Sequence, residues 1–335
     1  MRILAGDIGG TKSELALYEG APEDGFRELR RARFASADFG GLLPLLQSFR
    51  GDDAAIDAAG FAVAGPVGDG RATLTNLSWQ ALDERELGAA LGAPVALRND
   101  FAANVEGLSE LNASELRVLN RGQPRADGAI ALVGAGTGLG QALALPRPDA
   151  GLQVLAAEGG HADFAPQDRL GCALLEFLQA RHGAHISVER VVSGPGLLAV
   201  YDFFCETGRA PSDPALRARI AAGDGPRQVA EHGVLEPAPG VASDPACAAA
   251  LEFFLRAYGA EAGNVALRCL PTAGLYIAGG IAPKLLHGRQ ADLFCQALFA
   301  KGRMEPLLRT LPIAVVLQPR LGLLGARKVA ASLRP

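Results

Sequence analysis

The sequence is most informative first in what it lacks. It has no apolar run of roughly 18 residues or more, the length a membrane-spanning helix needs. It has no basic excess: 32 Lys and Arg stand against 36 Asp and Glu, for a net charge of −4. Nucleic acid is therefore not an expected partner, because phosphate binding needs a basic face. Cysteines at metal-binding spacing are missing too. Cys172, Cys205, Cys247, Cys269 and Cys295 lie far apart, with no CxxC pair. An odd set of scattered thiols points to a reducing, cytoplasmic compartment and to no zinc cluster. His182 and His185 are near neighbours but have no further ligand beside them, so no metal site is read there. Asp7 interrupts the stretch where a secretion signal would carry its apolar run, so no such signal is expected. Lysine is scarce, with Lys12, Lys284, Lys301 and Lys328 as its four instances among the 32 basic residues. That reflects composition and carries no functional reading.

What is present belongs to a folded protein. Of the 335 residues, 49% are hydrophobic and 20% charged, outside the range of disordered chains. The length favours two domains. Arg2-Ile3-Leu4-Ala5 leads into Gly6-Asp7-Ile8-Gly9-Gly10-Thr11, and Ser13 to Tyr18 runs apolar again: strand, glycine turn, strand. Here Gly9-Gly10 is expected to supply the positive φ angles of a tight hairpin. A second segment, Ala129 to Leu145, has the same build around Val133-Gly134-Ala135-Gly136-Thr137-Gly138-Leu139-Gly140. Shifted by 128 positions, Leu4, Gly6, Gly10, Leu15, Ala16 and Leu17 fall without a gap on Leu132, Gly134, Gly138, Leu143, Ala144 and Leu145. This reads as an internal repeat, with chance in an Ala-, Gly- and Leu-rich chain as the alternative. On that alignment Asp7 matches Ala135, so only the first turn carries a carboxylate.

Further strands are expected at Ala59–Ala64, Val95–Arg98, Gly274–Ala278 and Ile313–Leu317. Helices are expected at Asp83–Leu91, Phe101–Leu108, Leu170–Arg181, Gly196–Cys205, Ala246–Cys269, from Ala282, and Gly322–Leu333. Residues 206–245 are rich in Pro and Gly and read as a surface excursion. Strands and helices mixed in this way predict an α/β fold of two lobes with a cleft between them. The small lobe is placed at 1–110 plus about 301–335, the large lobe at about 111–300.

Neither glycine turn fits the familiar phosphate templates. The first nearly matches the P-loop, but Thr11 stands where Gly must precede Lys-Ser, and a strand rather than a helix follows. The second nearly matches GxGxxG, but Leu139 occupies the last glycine position and again no helix follows. Two glycine hairpins with amides and the hydroxyls of Thr11 and Thr137, together with Gly279-Gly280, instead suggest a divided nucleotide site. Two ordinary tight hairpins are the plainer reading of either one alone.

Gly6-Asp7-Ile8-Gly9-Gly10-Thr11, Arg98-Asn99-Asp100-Phe101, Gly134 to Gly140, Glu158-Gly159-Gly160-His161, Glu189 to Gly196 and Ile277-Ala278-Gly279-Gly280-Ile281 resemble, in order and across nearly the whole chain, the bacterial glucokinase family. The resemblance implies the actin-like, hexokinase-type (RNase H-like) fold with an interdomain active-site cleft. It also implies ATP and a hexose as substrates, Mg²⁺, a place in glycolysis and a homodimer. Lys12 departs from the Asn usual after Gly-Gly-Thr and is more typical of the related ROK sugar kinases. The Cys-rich zinc motif those relatives carry after Gly-His is replaced here by Ala162-Asp163-Phe164-Ala165-Pro166. The ROK repressors' N-terminal DNA-binding extension is not expected either. A broader hexose or amino-sugar kinase is therefore the alternative to a glucokinase.

The expected roles follow. Asp100 follows a strand and opens a helix, where the helix N-terminus favours an ionised carboxylate. It is the expected general base for the sugar 6-hydroxyl, with helix capping as its plainer role. Asn99, Asp100, Glu158, His161 and Glu189 are the sugar ligands the resemblance implies. Asp7 is the expected Mg²⁺ residue, directly or through water. Gly6, Asp7, Ile8, Gly9, Gly10, Thr11, Gly136, Thr137 and Gly138 would cradle the phosphates of ATP, and Gly279 and Gly280 would lie against its adenosine.

Overall fold

A computed structural model describes residues 1–50, 55–74, 77–147, 151–237 and 243–333. Its contacts divide the chain into two units: Met1–Ala113 with Ala150–Ala156 and Arg320–Pro335, and Ser114–Asp149 with Ala157–Pro319.

In the first unit the chain opens with β1 (Arg2–Ile8), β2 (Lys12–Ala21) and β3 (Gly25–Ala35), continues with α1 (Leu42–Arg50), and reaches β4 (Ala58–Val63). Three two-residue strands follow, β5 (Val67–Gly68), β6 (Arg71–Ala72) and β7 (Leu82–Asp83), forming a small sheet of their own. Then come α2 (Glu84–Leu91), β8 (Val95–Asn99) and α3 (Asp100–Gly107). The main sheet has the order β3-β2-β1-β4-β8. β1 runs antiparallel to β2 and parallel to β4. All six residues of β4 are buried, as expected of a parallel strand covered on both faces. β3, at the edge, is the opposite: mostly exposed, with Arg27, Arg30, Arg31 and Arg33 beside Glu28, a charged rim that discourages further strand pairing. α1 buries Leu42, Leu45, Leu46 and Phe49, the three- and four-residue spacing of one helical face. They share a core with Leu4, Ile8, Phe61, Leu97 and Trp79.

The second unit contains β9 (Leu116–Asn120), β10 (Ile130–Ala135) and β11 (Leu139–Arg147). β12 (Gly151–Ala157) comes next and groups up to Ala156 with the first unit. Then follow α4 (Arg169–His182), α5 (Gly194–Glu206), α6 (Pro214–Ala222), α7 (Gly225–His232) and α8 (Pro245–Cys269). β13 (Gly274–Ala278), α9 (Ala282–Leu285), α10 (Gly288–Phe299), α11 (Glu305–Leu308) and β14 (Ile313–Val316) complete the unit. Its strands lie in the order β11-β10-β13-β14-β9. α8 packs tightly on α10: a Cβ added to Gly259 would lie 2.1 Å from the Phe294 carbonyl oxygen.

The chain then returns to the first unit as α12 (Leu321–Ser332). Its contacts are backbone on backbone. A Cβ on Gly325 would come within 1.7 Å of the Ala103 carbonyl oxygen in α3, and one on Gly60 in β4 within 2.2 Å of the Ala326 carbonyl oxygen.

The two halves do repeat. β2-β1-β4-β8 and β11-β10-β13-β14 share one order, and each central strand is antiparallel to its hairpin partner and parallel to the strand on its other side. The gapless 128-residue superposition does not hold through the turns. Four residues separate the paired Ile8 and Ser13, but three separate Ala135 and Leu139. Gly9 does not adopt the expected positive φ; glycine is required there because a Cβ would lie 2.9 Å from the Lys12 carbonyl oxygen. The chain leaves the second unit at 320, not at about 301, because β14 is bound into that unit's sheet between β13 and β9. The excursion at 206–245 is not structureless. It contains α6 and α7, each capped by an Asp and carrying a Pro in its first two positions, while its residues 238–242 lie outside the described residues.

Candidate active site

The first unit brings two carboxylates into electrostatic contact. Asp7 is the penultimate residue of β1, and Asp100 is the first residue of α3. Burial, then the charge of Asp100, then that of Glu14 push the Asp7 carboxyl up to about 7, with Arg33 opposing. A Cβ on Gly322, in the first turn of α12, would lie 3.0 Å from Asp7 Oδ2. The carboxylate is thus seated against a position where a side chain would crowd it. The turn beyond β1 is held from behind. Ser36 Oγ donates to the Gly9 carbonyl oxygen at 2.7 Å, and its amide donates to that of Thr11 at 3.1 Å. Gly6 is fixed by packing, since a Cβ there would meet Leu15 and Phe61 at 2.7 Å. Ile8 is fully buried, and Thr11 is exposed at the turn.

The cap of α3 is Asn99, not Asp100. Asn99 Oδ1 accepts from the Phe101 and Ala102 amides at 3.0 and 3.2 Å, and Nδ2 donates to the Gly65 carbonyl oxygen at 3.1 Å. This separates the two expected roles. Asn99 satisfies the helix end and keeps one amide hydrogen to offer a ligand. Asp100 stands at the first helical position, its Oδ1 accepting the Phe101 amide at 2.9 Å, where the helix N-terminus favours the anion a proton acceptor must be.

In the second unit the turn between β10 and β11 is tied to the start of α5. The Gly136 amide donates to the Gly138 carbonyl oxygen, and the Gly194 amide to that of Gly136, both at 2.8 Å. A Cβ at Gly136 would meet nothing within 4 Å, as would one at Gly280. Both positions are bare toward open space. Gly279, by contrast, needs glycine twice: φ is 82°, and a Cβ would lie 2.3 Å from the Ala135 carbonyl oxygen. Beside this turn is a cavity of about 330 Å³ lined by Thr137, Arg181, Glu189, Arg190 and Ser193 among others, within the size range of small-molecule sites. The two arginines are absent from the sequence-derived set. Arg190 adjoins Glu189 in the same motif, and that adjacency was the available signal; Arg181, an ion-pair partner of Glu206 at 2.5 Å, had none.

The segments bearing the three remaining candidates meet the start of β11. Glu158 and His161 flank the single turn Gly159–His161, are both exposed, and lie 3.8 Å apart, Oε2 to Nε2. Glu189 Oε2 accepts the Leu139 amide at 2.8 Å. Gly138 must be small because a Cβ there would lie 2.5 Å from that same oxygen. The segment after His161 is stitched to the segment before Glu189 by the Val188 amide donating to the Ala162 carbonyl oxygen at 2.8 Å. Among the described residues no group of three or more His, Cys, Asp or Glu forms a metal cluster. The residue suited to a cation is Asp7, whose ionised form burial and the neighbouring charge of Asp100 oppose and a positive charge would favour. Mg²⁺ retains several waters and can take one protein carboxylate with further ligands from phosphate.

Comparison with known proteins gives the family. The family model described as Glucokinase matches residues 4–333. The glucokinase of Nostoc punctiforme is 42% identical over 340 residues, covering 99% of each chain. The crystal structure of a glucokinase from an Antarctic psychrotroph superposes with a TM-score of 0.76 at 30% identity, covering 99% of both chains. A ROK family glucokinase from Streptomyces griseus, solved with glucose and AMPPNP, shares the fold at a TM-score of 0.65 and 21% identity, covering 98% of this chain and 99% of that one. The expected hexokinase-type α/β architecture is thus the observed one, and the chain belongs to the glucokinase family of glucose-phosphorylating enzymes.

Proposed function

We propose that this chain transfers the γ-phosphoryl group of ATP to the 6-hydroxyl of glucose, with Asp100 as the general base. The observation that carries this reading is the division of labour at the end of β8. Asn99 takes the Phe101 and Ala102 amides as the helix cap, while Asp100, at the first helical position, holds the Phe101 amide with Oδ1 and is electrostatically coupled to Asp7. Asp100 accepts the 6-hydroxyl proton as that oxygen attacks the γ-phosphorus in line. Glu158, His161 and Glu189 accept and donate hydrogen bonds to the sugar hydroxyls, and Asn99 offers its remaining N–H. Such groups, left unpaired by a sugar with the wrong hydroxyls, would discriminate against it. The open backbone at Gly136 and the hydroxyl of Thr137 receive phosphate oxygens, with Gly9, Gly10 and Thr11 as the counterpart from the other glycine turn. Gly279 and Gly280 face the adenosine. Arg190, on the cavity beside Thr137, adds positive charge for the nucleotide. When bound, Mg²⁺ neutralises charge on the transferring phosphoryl group. Asp7, directly or through water, is the residue that would hold it, and it must be ionised to do so.

Lys12 supports a second reading, a kinase of broader hexose or amino-sugar range. ADP release from Mg-ATP in the presence of glucose, mannose, fructose, N-acetylmannosamine or N-acetylglucosamine, or with no sugar, decides between them. Turnover that depends on glucose and exceeds that on every other sugar is expected. Comparable turnover on an amino sugar would favour the broader kinase, and hydrolysis indifferent to all sugars would overturn both. The homodimer and the cytoplasmic location rest on the family resemblance and the scattered cysteines. Sedimentation at micromolar concentration tests the former.

A further inference from the structure

We propose that Gln141, locked by Glu261, is the positioning residue that sets the glucose ligands of the second unit. The inference rests on the assignment of Glu158, His161 and Glu189 to the sugar. A glutamine is out of place where Gln141 stands, in β11 among buried alanines, with 5% of its surface exposed. A buried amide is tolerated when its hydrogen bonds are met. The partner here is unusual: Gln141 Nε2 donates at 2.8 Å to Oε1 of Glu261, itself a 5% exposed carboxylate in the middle of α8. Glu261 is held in turn by Asn264 Nδ2 at 3.0 Å and Arg268 Nη1 at 3.3 Å, and Lys301 Nζ donates to Asn264 Oδ1 at 2.6 Å.

A carboxylate only accepts, so this bond fixes which end of the Gln141 amide faces which way. The nitrogen is turned to Glu261. The oxygen is turned to Gly159, where an added Cβ would lie 2.0 Å from it. The loop bearing Glu158 and His161 therefore rests directly on the Gln141 oxygen. Two residues earlier, Leu139 does the rest. Its carbonyl oxygen would lie 1.9 Å from a Cβ on Gly160, and its amide is bonded to Glu189. Residues 139–141 thus form one footing for all three sugar ligands, and the Gln141–Glu261 bond is what anchors that footing to the long helix. Gln141 acts through Gly159 on the loop of Glu158 and His161, so the expected effect is on the sugar; Glu189, which also meets Gly138 of the phosphate turn, is held by Leu139 rather than by Gln141.

The test is Gln141→Met, which keeps length and volume and removes the bond, assayed for glucose KM and ATP KM together with a thermal melt. The expected result is a glucose KM raised roughly 10- to 100-fold, the scale of a small misplacement of substrate, with ATP KM within about two-fold and a melting temperature lowered by the loss of one buried hydrogen bond to a carboxylate. Should that variant not fold, Gln141→Asn, one methylene too short for the bond, is read by the same criteria. A glucose KM unchanged in Gln141→Met, or a loss of stability that raises both KM values together, would overturn the proposal. His161→Ala and Glu189→Gln run beside it. If they lose glucose affinity while Gln141→Met keeps it, the positioning role alone falls. If they too bind glucose normally, the sugar assignment falls and the inference with it.

Discussion

Asp7 and Asp100 are electrostatically coupled acids of the first unit, and the proposed function gives them different tasks. The Asp7 carboxyl is raised from 3.8 to about 7 by burial, then by Asp100 and Glu14. The unfolded chain ionises this group above pH 4, whereas the folded one resists until about 7. Its contribution to stability is therefore complete below the unfolded value and is lost as pH rises through the folded one. In metal-free solution the melting temperature should fall more steeply between about pH 4 and about pH 7 for the unaltered chain than for Asp7→Asn; parallel slopes would contradict the assignment. For Asn99 the expected sugar contact is narrowed by its neighbours. With Oδ1 engaged by two helix amides, Asn99→Ala should cost about 1 kcal/mol of stability through the lost cap, read by urea unfolding, in addition to any loss of glucose affinity.

At the scale of elements, glycine divides into two kinds that the sequence does not distinguish. Gly325 is small because α12 touches α3 there, 1.7 Å from a would-be Cβ to the Ala103 carbonyl oxygen. Gly136 is small with nothing near it. Gly325→Ala should lower stability by about 1–3 kcal/mol or more and disturb the Asp100 helix, so kcat should fall with it. Gly136→Ala should leave the unfolding free energy within about 0.5 kcal/mol while raising ATP KM and sparing glucose KM. A Gly136→Ala variant that melts early and binds ATP normally would reverse the reading of both turns. The strands flanking these turns were legible because their apolar runs are short and end in glycine. α1, β3, β9 and α10 were not. β3 is a charged edge strand whose alternation is weak, and α10 follows the single turn α9 so closely that the two blur into one start.

In the whole molecule, the repeated order of strands was foreshadowed by the two glycine hairpins. The candidate site residues stand out in the sequence as motifs, because each lies in a short run of unusual composition. What holds them was not legible. Gly322 meets Asp7, and Glu261 meets Gln141, across 315 and 120 positions of sequence. No local pattern encodes either contact. The α6 and α7 helices were hidden by the same Pro and Asp residues that start them, which in sequence read as loop. The unit boundary at 320 was hidden because β14 joins its sheet through long-range pairing. Ligand binding to the folded chain alone should raise its melting temperature. Glu189→Gln should abolish the shift produced by glucose and retain the shift produced by a non-hydrolysable ATP analogue; loss of both would mean that Glu189 supports the fold rather than the sugar.

The most direct test is the glucose-dependent kcat of Asp100→Asn, measured beside its glucose affinity by calorimetry. The amide keeps the size and the helix position of the carboxylate but cannot take a proton. The account predicts a kcat lower by roughly 10²–10⁴ with glucose still bound within about ten-fold of the unaltered affinity. A kcat within about three-fold of the unaltered chain would show that Asp100 is not the base.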